Sequence, residues 1–153
     1  MKRLLLATAL LTLPLAADAQ APTVMGTWLT AAKTAQVRLT PCADARHGPV
    51  CGTIVSLTDP KGPDGKPIAP DAALDFRNSD PTLKTRKILG MVLLYGFKNA
   101  AEPNSFEEGT IYSAENGKTY KANISLQADG TLRLRGYVGS PMFGETQIWT
   151  RVQ

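Results

Sequence analysis

The sequence predicts an all-β protein: an antiparallel up-and-down barrel of about eight strands, with one long loop and one short helical turn. Short segments of alternating or continuous apolar character recur along the chain, and glycine, proline and asparagine turns separate them. No segment beyond the first 19 residues shows sustained helical periodicity. A long meander avoids exposed edges most simply by closing on itself, and a β-sandwich is the alternative.

The first three strands are predicted at Gly26–Leu29 and at residues 36–40 and 50–57. In the second strand the side chains alternate, so Val37 and Leu39 share one face and point inward. The third strand pairs back on the second as a hairpin.

A long loop is predicted at residues 58–80, where proline, glycine and aspartate replace the apolar pattern. Loops of this length in a compact domain are usually functional or mobile. Asp80 can cap a short helical turn that Pro81 begins. Residues 88–97 then form the most apolar stretch, predicted as a strand bent at Gly90 and Gly96, with a buried helix as the alternative.

The remaining strands are predicted at residues 106–112, 119–126, 131–135 and 146–152. Asn116-Gly117 and Asp129-Gly130 are tight-turn sequences that join them. In the strand at 119–126 the apolar side chains of alternate residues share one face.

The N-terminus predicts a secretory signal peptide over residues 1–19. Basic residues precede an apolar run too short to span a bilayer, and Ala17-Asp18-Ala19 is a cleavage site before Gln20. An uncleaved anchor is the alternative. We therefore expect residues 20–153 to form one soluble domain, not membrane-spanning after cleavage, that is periplasmic or secreted. The length of the full chain and its modest net charge of +4 disfavour a multidomain enzyme and a nucleic-acid partner.

The two cysteines, Cys42 and Cys51, are predicted to form a disulfide, since the chain is expected in an oxidising compartment. Their spacing is not that of a zinc site. A reactive dithiol is the alternative, although no Cys-x-x-Cys motif lowers a thiol pKa.

Several short motifs occur in a fixed order along the chain. They are Gly26-x-Trp28, Cys42, Cys51-Gly52-x-Ile54, Asp75-x-x-Asn78-x-Asp80-Pro81-x-Leu83-x-x-Arg86, Gly90, Gly109-x-Ile111-Tyr112, Gly117-Lys118-x-Tyr120, Arg135-Gly136-Tyr137-x-Gly139 and Trp149-Thr150-Arg151. In this set the chain resembles the exported bacterial family called domain of unknown function 2147, over about residues 24–152. The resemblance implies no biochemical activity.

The pair formed by Gly26-x-Trp28 and Arg151 more loosely resembles the lipocalin or calycin arrangement. That resemblance implies that an arginine stacks across the tryptophan and closes the base of a barrel. A guanidinium can lie on an indole face and still donate hydrogen bonds to carbonyl groups. The chain is short for a lipocalin, and a middle lipocalin motif is missing.

Candidate ligand-binding residues fall into two sets. Asp75, Asn78 and Arg86 match polar positions of the resembling family around a turn, where they would either pin the long loop or contact a ligand. Arginines and tyrosines on the later strands could line a mouth suited to a small amphipathic or anionic ligand, or simply face water. These residues are Tyr112, Tyr120, Arg135 and Tyr137.

No catalytic residue, metal site or cofactor is predicted. The single histidine, His47, excludes sites that need two, and the aspartates of the long loop lack a calcium-binding register. We expect an exported periplasmic protein that binds a small ligand or serves as an envelope accessory. A protein-interaction or structural module is the alternative, and a small hydrolase or isomerase is a weaker one. A cavity inside the barrel would favour ligand binding, and a filled interior would favour interaction through the rim.

Overall fold

The computed structural model describes residues 22–152, so the predicted signal peptide lies outside the described residues. Nine strands run through this part of the chain, with four single turns of 3-10 helix between them. The strands are β1 (Gly26–Leu29), β2 (Ala35–Thr40), β3 (Cys51–Leu57), β4 (Val92–Tyr95), β5 (Lys98–Asn99), β6 (Ser105–Ser113), β7 (Lys118–Leu126), β8 (Leu132–Tyr137) and β9 (Glu145–Arg151).

The sheet closes into a barrel in which paired strands are antiparallel. Its order is β4-β3-β2-β1-β9-β8-β7-β6, and β4 pairs back with β6. The short strand β5 adds to β6 as an extra strand. The pairing of Leu94 with Ile111 and of Tyr95 with Thr110 closes the ring. The prediction of an all-β barrel is therefore confirmed, and the β-sandwich alternative is wrong.

The predicted single strand at residues 88–97 is the main difference between sequence and structure. Only Val92–Tyr95 is a strand, because the chain turns at both glycines, whose φ angles are positive. The N–H of Gly90 donates to the carbonyl of Ile54, and the N–H of Gly96 donates to the carbonyl of His47. The other predicted strands are present, with ends shifted by one or two residues.

The predicted long loop and its helical turn are confirmed. Between β3 and β4 there is no strand, only two isolated bridges and two 3-10 turns. Asp80 caps the turn Pro81–Leu83 by accepting a hydrogen bond from the N–H of Thr82 at 2.9 Å. The carboxylate takes an N–H that the short turn leaves without a backbone partner.

The predicted disulfide between Cys42 and Cys51 is confirmed, with an S–S distance of 2.08 Å. Cys51 begins β3 and lies opposite Thr40, the last residue of β2. The bridge therefore closes the β2–β3 connection beside an existing strand pair.

Large apolar side chains form the core inside the barrel. Among them, Trp28, Trp149, Leu39 and Leu94 are fully buried. Burying these large side chains supplies the main driving force for closing the ring. No helix among residues 22–152 combines the length and the apolar character that a membrane crossing requires.

Candidate functional site

One end of the barrel, here called the base, is closed by Arg151. Its guanidinium lies 4.2 Å from the centroid of the Trp28 ring. It also donates hydrogen bonds to the carbonyl oxygens of Met25, at 2.8 Å, and of Thr23. Gly26 stands directly under this group, and a β-carbon there would lie 2.5 Å from the Nη1 atom of Arg151. The base therefore needs Gly26, Trp28 and Arg151 together.

The opposite end, here called the mouth, is where β1 ends and β2 begins. The β8–β9 loop lies at this end, and three other connections meet there, since Ala35 pairs with Leu57 and β7 runs away from the same end. They are the β1–β2 turn, the first part of the long loop and the β6–β7 turn. The mouth is thus built from loops, and the strands beneath hold those loops in place.

A cavity of about 320 Å³ opens at the mouth and reaches into the barrel. Its walls are largely apolar and include Val37, Ile54, Leu93, Ile111 and Trp149. Ligand sites in proteins start at about this size and share this mixture of apolar walls and a polar rim. The interior is therefore filled at the base and open at the mouth.

Residues 73–78, here called the strap, cross one side of the mouth. The carbonyl of Ala73 accepts a hydrogen bond from the N–H of Ile88, and the N–H of Asp75 donates to the carbonyl of Arg86. These bonds tie the strap to the chain that returns towards β4. Phe76 and Arg77 consequently lie at the cavity, and the Arg77 guanidinium stacks 4.5 Å from the Phe76 ring centroid.

The strap residue Asp75 is completely buried, and its carboxylate accepts three side-chain hydrogen bonds. The donors are Arg86 at 2.7 Å, Tyr112 Oη at 2.6 Å and Asn78 Nδ2 at 2.8 Å. A buried carboxylate is tolerated when its lone pairs are bonded and a cation neutralises it. The sequence-predicted residues Asp75, Asn78, Arg86 and Tyr112 therefore form one cluster, which holds the strap on β6.

Tyr112 stands between this cluster and the cavity, because it lines the cavity as well as bonding to Asp75. Burial, together with the hydrogen bond to the Asp75 carboxylate, raises the pKa of Tyr112 from 10.0 to about 12. The hydroxyl is therefore a firmly held donor at neutral pH. The Arg86 guanidinium lies 5.3 Å from the centroid of its ring.

Tyr120 lies outside the cavity, on a groove that runs over the outer side of the strap. The same groove is lined by Arg86, Tyr95 and Lys118. The Tyr120 hydroxyl accepts a hydrogen bond from Asn116 Nδ2 at 2.9 Å, which fixes the tyrosine to the β6–β7 turn.

The structure places Arg135 and Tyr137 away from both the cavity and the Asp75 cluster. Arg135 donates to the carbonyl oxygens of Pro141 and Met142 in the β8–β9 loop and to Thr146 Oγ1. The Tyr137 hydroxyl lies 3.4 Å from Asn123 Oδ1. These two residues organise the outside of β7–β9.

Phe76 and Arg77 are mouth residues that sequence reasoning missed. They stand inside the Asp75-x-x-Asn78 motif at the two positions that the motif leaves open. An aromatic residue beside a cation, between two anchoring polar residues, is the signal that could have identified them. Among residues 22–152, no group of three or more histidine, cysteine or acidic side chains comes together as a metal site.

The comparisons with known proteins agree with this geometry. The family described as "Uncharacterized protein conserved in bacteria (DUF2147)" matches residues 26–151. A solved structure, protein HP1028 from Helicobacter pylori, described as belonging to the lipocalin family, is similar with a TM-score of 0.68 and 20% identity. The match covers 87% of this chain and 85% of that one, and it shows a lipocalin-like fold. Among curated proteins, none is significantly similar to this chain.

Proposed function

The chain belongs to the bacterial family DUF2147, and from the geometry of its mouth we propose that it is an exported periplasmic protein that binds a small amphipathic ligand inside the barrel. The observation that carries this proposal is the apolar cavity of about 320 Å³ opening at the mouth. An interior packed with side chains would instead have favoured an interaction module.

The size of the cavity limits the ligand. Its volume equals the share of about ten water molecules in liquid water, so the buried part of the ligand is small. The apolar walls favour a short hydrocarbon or an aromatic ring, because burying such a group removes apolar surface from water.

The rim of the mouth provides for a polar head group. Lys61 and Arg77 stand there with Asp59 and Glu115, so opposite charges balance on the rim. Arg77 is the cation whose position is fixed, because its guanidinium stacks on Phe76. We assign to Arg77 the recognition of an anionic head, since a guanidinium matches the geometry of carboxylate and phosphate groups.

We assign positioning roles to Asp75, Asn78 and Arg86. Asp75 and Asn78 bond to Tyr112, and the carbonyl of Arg86 accepts the N–H of Asp75. These bonds hold the strap, which carries Phe76 and Arg77 to the cavity. In this proposal Tyr112 contacts the ligand as part of the wall, and Tyr120, Arg135 and Tyr137 act outside the cavity.

Export is supported by three features. The N-terminal sequence has the pattern of a cleaved signal, the family is bacterial, and Cys42 and Cys51 form a disulfide. Structural disulfides persist in oxidising compartments such as the bacterial periplasm.

A dye-binding experiment tests the proposal. 1-Anilinonaphthalene-8-sulfonate, an amphipathic anion, is titrated into the mature protein and its fluorescence is followed. Ala114 lines the cavity, so Ala114→Trp should block it. The affinity for the dye should fall by tenfold or more, which corresponds to the free energy of burying about one apolar side chain. Ala101→Trp, on the exposed β5–β6 connection, is the matched control and should bind as wild type does.

Two further variants separate the head group from the body of the ligand. Arg77→Ala should weaken the anionic dye and leave a neutral analogue, N-phenyl-1-naphthylamine, unchanged, whereas Lys66→Ala on the loop tip should weaken neither. Melting temperatures of all variants are measured to confirm folding. Equal dye affinity in the Ala114→Trp and Ala101→Trp proteins, both folded, would refute binding in the cavity.

A further inference from the structure

The β8–β9 loop, residues 138–144, concentrates the exposed apolar surface of the described chain. Val138, Met142 and Phe143 are 73%, 78% and 82% exposed, whereas the next most exposed large apolar side chain, Val92, reaches 46%. Single exposed apolar residues are common on protein surfaces, but three in one short loop mark an interaction site.

The second half of this loop pairs its backbone N–H groups within the loop. The N–H groups of Phe143 and Gly144 donate to the carbonyls of Ser140 and Pro141, and the N–H of Met142 donates to Ser140 Oγ. Pro141 has no N–H to satisfy. The N–H groups of Met142, Phe143 and Gly144 are therefore each bonded to an acceptor within the loop.

Arg135 completes this arrangement from β8. Its guanidinium donates to the carbonyls of Pro141 and Met142, the two that point back over the strand. Gly144 is packed so closely on β8 that a β-carbon there would lie 2.5 Å from the carbonyl oxygen of Gly136. The loop is thus held in shape, with its apolar side chains directed outward.

We propose that this loop is a membrane-docking tip, which inserts Val138, Met142 and Phe143 into the interface of a phospholipid bilayer. A lipid interface accepts apolar side chains from any convex shape, provided that the entering backbone brings no unpaired polar groups. A protein partner would need a pocket complementary to this one loop. The paired N–H groups of Met142 and Phe143, which carry the two most exposed large apolar side chains, favour lipid.

The charges around the tip agree with a phospholipid partner. The neighbouring ends of β7, β8 and β9 carry Lys118, Lys121 and Arg135, against one acidic residue, Glu145. Lys121 pairs with Tyr137, the residue before Val138. Cations placed beside the tip can attract anionic head groups while its apolar side chains enter the interface.

The docking tip lies at the end of the barrel that carries the mouth, because β9 starts at the tip and runs to Arg151 at the base. Docking would bring the mouth close to the bilayer surface. The inference goes beyond the proposed function and does not depend on it, since the tip lines no part of the cavity.

The test uses fluorescence in the tip itself. Trp28 and Trp149 are buried, so Phe143→Trp adds a single exposed indole to the mature protein. With vesicles of phosphatidylethanolamine and phosphatidylglycerol, we expect its emission to shift to the blue and to be quenched by brominated acyl chains. Co-sedimentation should be stronger with these vesicles than with phosphatidylcholine vesicles, and added salt should reduce the difference.

Matched variants identify the side chains that are responsible. Met142→Asp/Phe143→Asp should lower the vesicle partition coefficient on the order of a hundredfold or more. Ile148→Asp is the control, because Ile148 is 45% exposed on β9 and lies opposite Arg133, which can pair with the new carboxylate. It should bind vesicles as wild type does.

Three results would overturn the proposal. One is a Phe143→Trp emission that neither shifts nor is quenched, and another is equal vesicle binding by the double variant and by wild type. The third is self-association in sedimentation velocity that the double variant abolishes, without vesicle binding by wild type. That result would assign the tip to a second copy of the chain.

Discussion

Two hydrogen bonds between Asp75 and Arg86 join the two sides of the long loop. The N–H of Asp75 donates to the carbonyl of Arg86 at 2.9 Å, and the guanidinium of Arg86 donates to the carboxylate of Asp75 at 2.7 Å. The earlier part of the loop, near Gly62 and Lys66, is held only by its own short hairpin bonds. We call the Asp75–Arg86 pair the anchor of the long loop. Its hydrogen bonds share no residue with those near Gly62, so we expect the two parts of the loop to contribute independently to stability.

Arg86→Ala should loosen the strap and reduce stability by about 1–3 kcal/mol, since it leaves a buried carboxylate without its cation. Amide hydrogen exchange at Asp75 and Asn78 should increase, because both N–H groups are bonded within this anchor. Deleting residues 62–65 is the comparison, and it should change stability by only a few tenths of a kcal/mol, because loop closure depends weakly on length. The two variants are compared by urea unfolding and exchange mass spectrometry, and equal exchange at Asn78 would contradict a separate anchor.

Tyr112→Phe should show how the cluster depends on pH. The pKa of Tyr112 is raised from 10.0 to about 12, so its stabilising effect is complete below pH 10 and is lost as pH rises through 12. At neutral pH the substitution should cost about 1.5–3 kcal/mol, the value of a hydrogen bond to a charged group. The tyrosinate absorbance of wild type minus that of the variant should titrate with a midpoint near 12, and a midpoint near 10 would exclude the bond to Asp75.

Arg151→Ala should destabilise the base by about 1–3 kcal/mol, through lost stacking on Trp28 and an unpaired carbonyl at Met25. Arg133→Ala removes the same charge from β8 and serves as the control for net charge. Thermal unfolding followed by near-ultraviolet circular dichroism measures both. Equal melting temperatures for the two variants would mean that the Arg151 contacts contribute nothing.

Reduction of the disulfide between Cys42 and Cys51 should lower stability by about 2.7 kcal/mol or less. The chain-entropy estimate for a loop of this length gives the upper figure. Since Thr40 and Cys51 already pair in the β2–β3 ladder, part of that restraint survives reduction. Unfolding is compared with and without reductant, and thiol titration of the unfolded, unreduced protein should find no free thiol.

Gly117→Ala should destabilise far more than Gly130→Ala. Both glycines have positive φ angles, so alanine is strained at either position by about 1 kcal/mol or more. At Gly117 a β-carbon would also clash with the carbonyl oxygen of Arg77, whereas at Gly130 nothing lies within 4 Å. Both variants are unfolded in urea. The difference between their free energies of unfolding gives the cost of moving the strap away from the β6–β7 turn. If both variants lost the same free energy of unfolding, the strap and the β6–β7 turn could move apart at little cost.

The strands were predictable because their alternating side chains report directly on which face is buried, as in β2 and β7. The run at residues 88–97 failed this rule, since continuous apolar character does not distinguish a strand from a turn buried against its neighbours. Gly90 and Gly96 marked the bends, but bonds to the distant Ile54 and His47 decide that the chain turns there.

The candidate site was predictable only in part. Asp75, Asn78 and Arg86 were grouped through the resembling family's order of residues, but Tyr112 was not joined to them, because a separation of 37 positions leaves no local pattern. The cavity walls come from strands and loops spread along the chain, and no periodicity brings Phe76 next to Trp149. The role of Arg135 escaped prediction because its acceptors are backbone carbonyls, which the sequence does not display.

The pairing of Trp28 with Arg151 also governs how the barrel forms. It joins the first strand to the last, so this seam depends on contacts between residues more than 120 positions apart. Contacts of such long range are slow to form, because closing so long a loop costs chain entropy before the contacts offset it. A chain that stops before β9 leaves β1 and β8 with open edges, and open edges pair with other chains. C-terminal truncation should therefore cause aggregation rather than yield a smaller barrel.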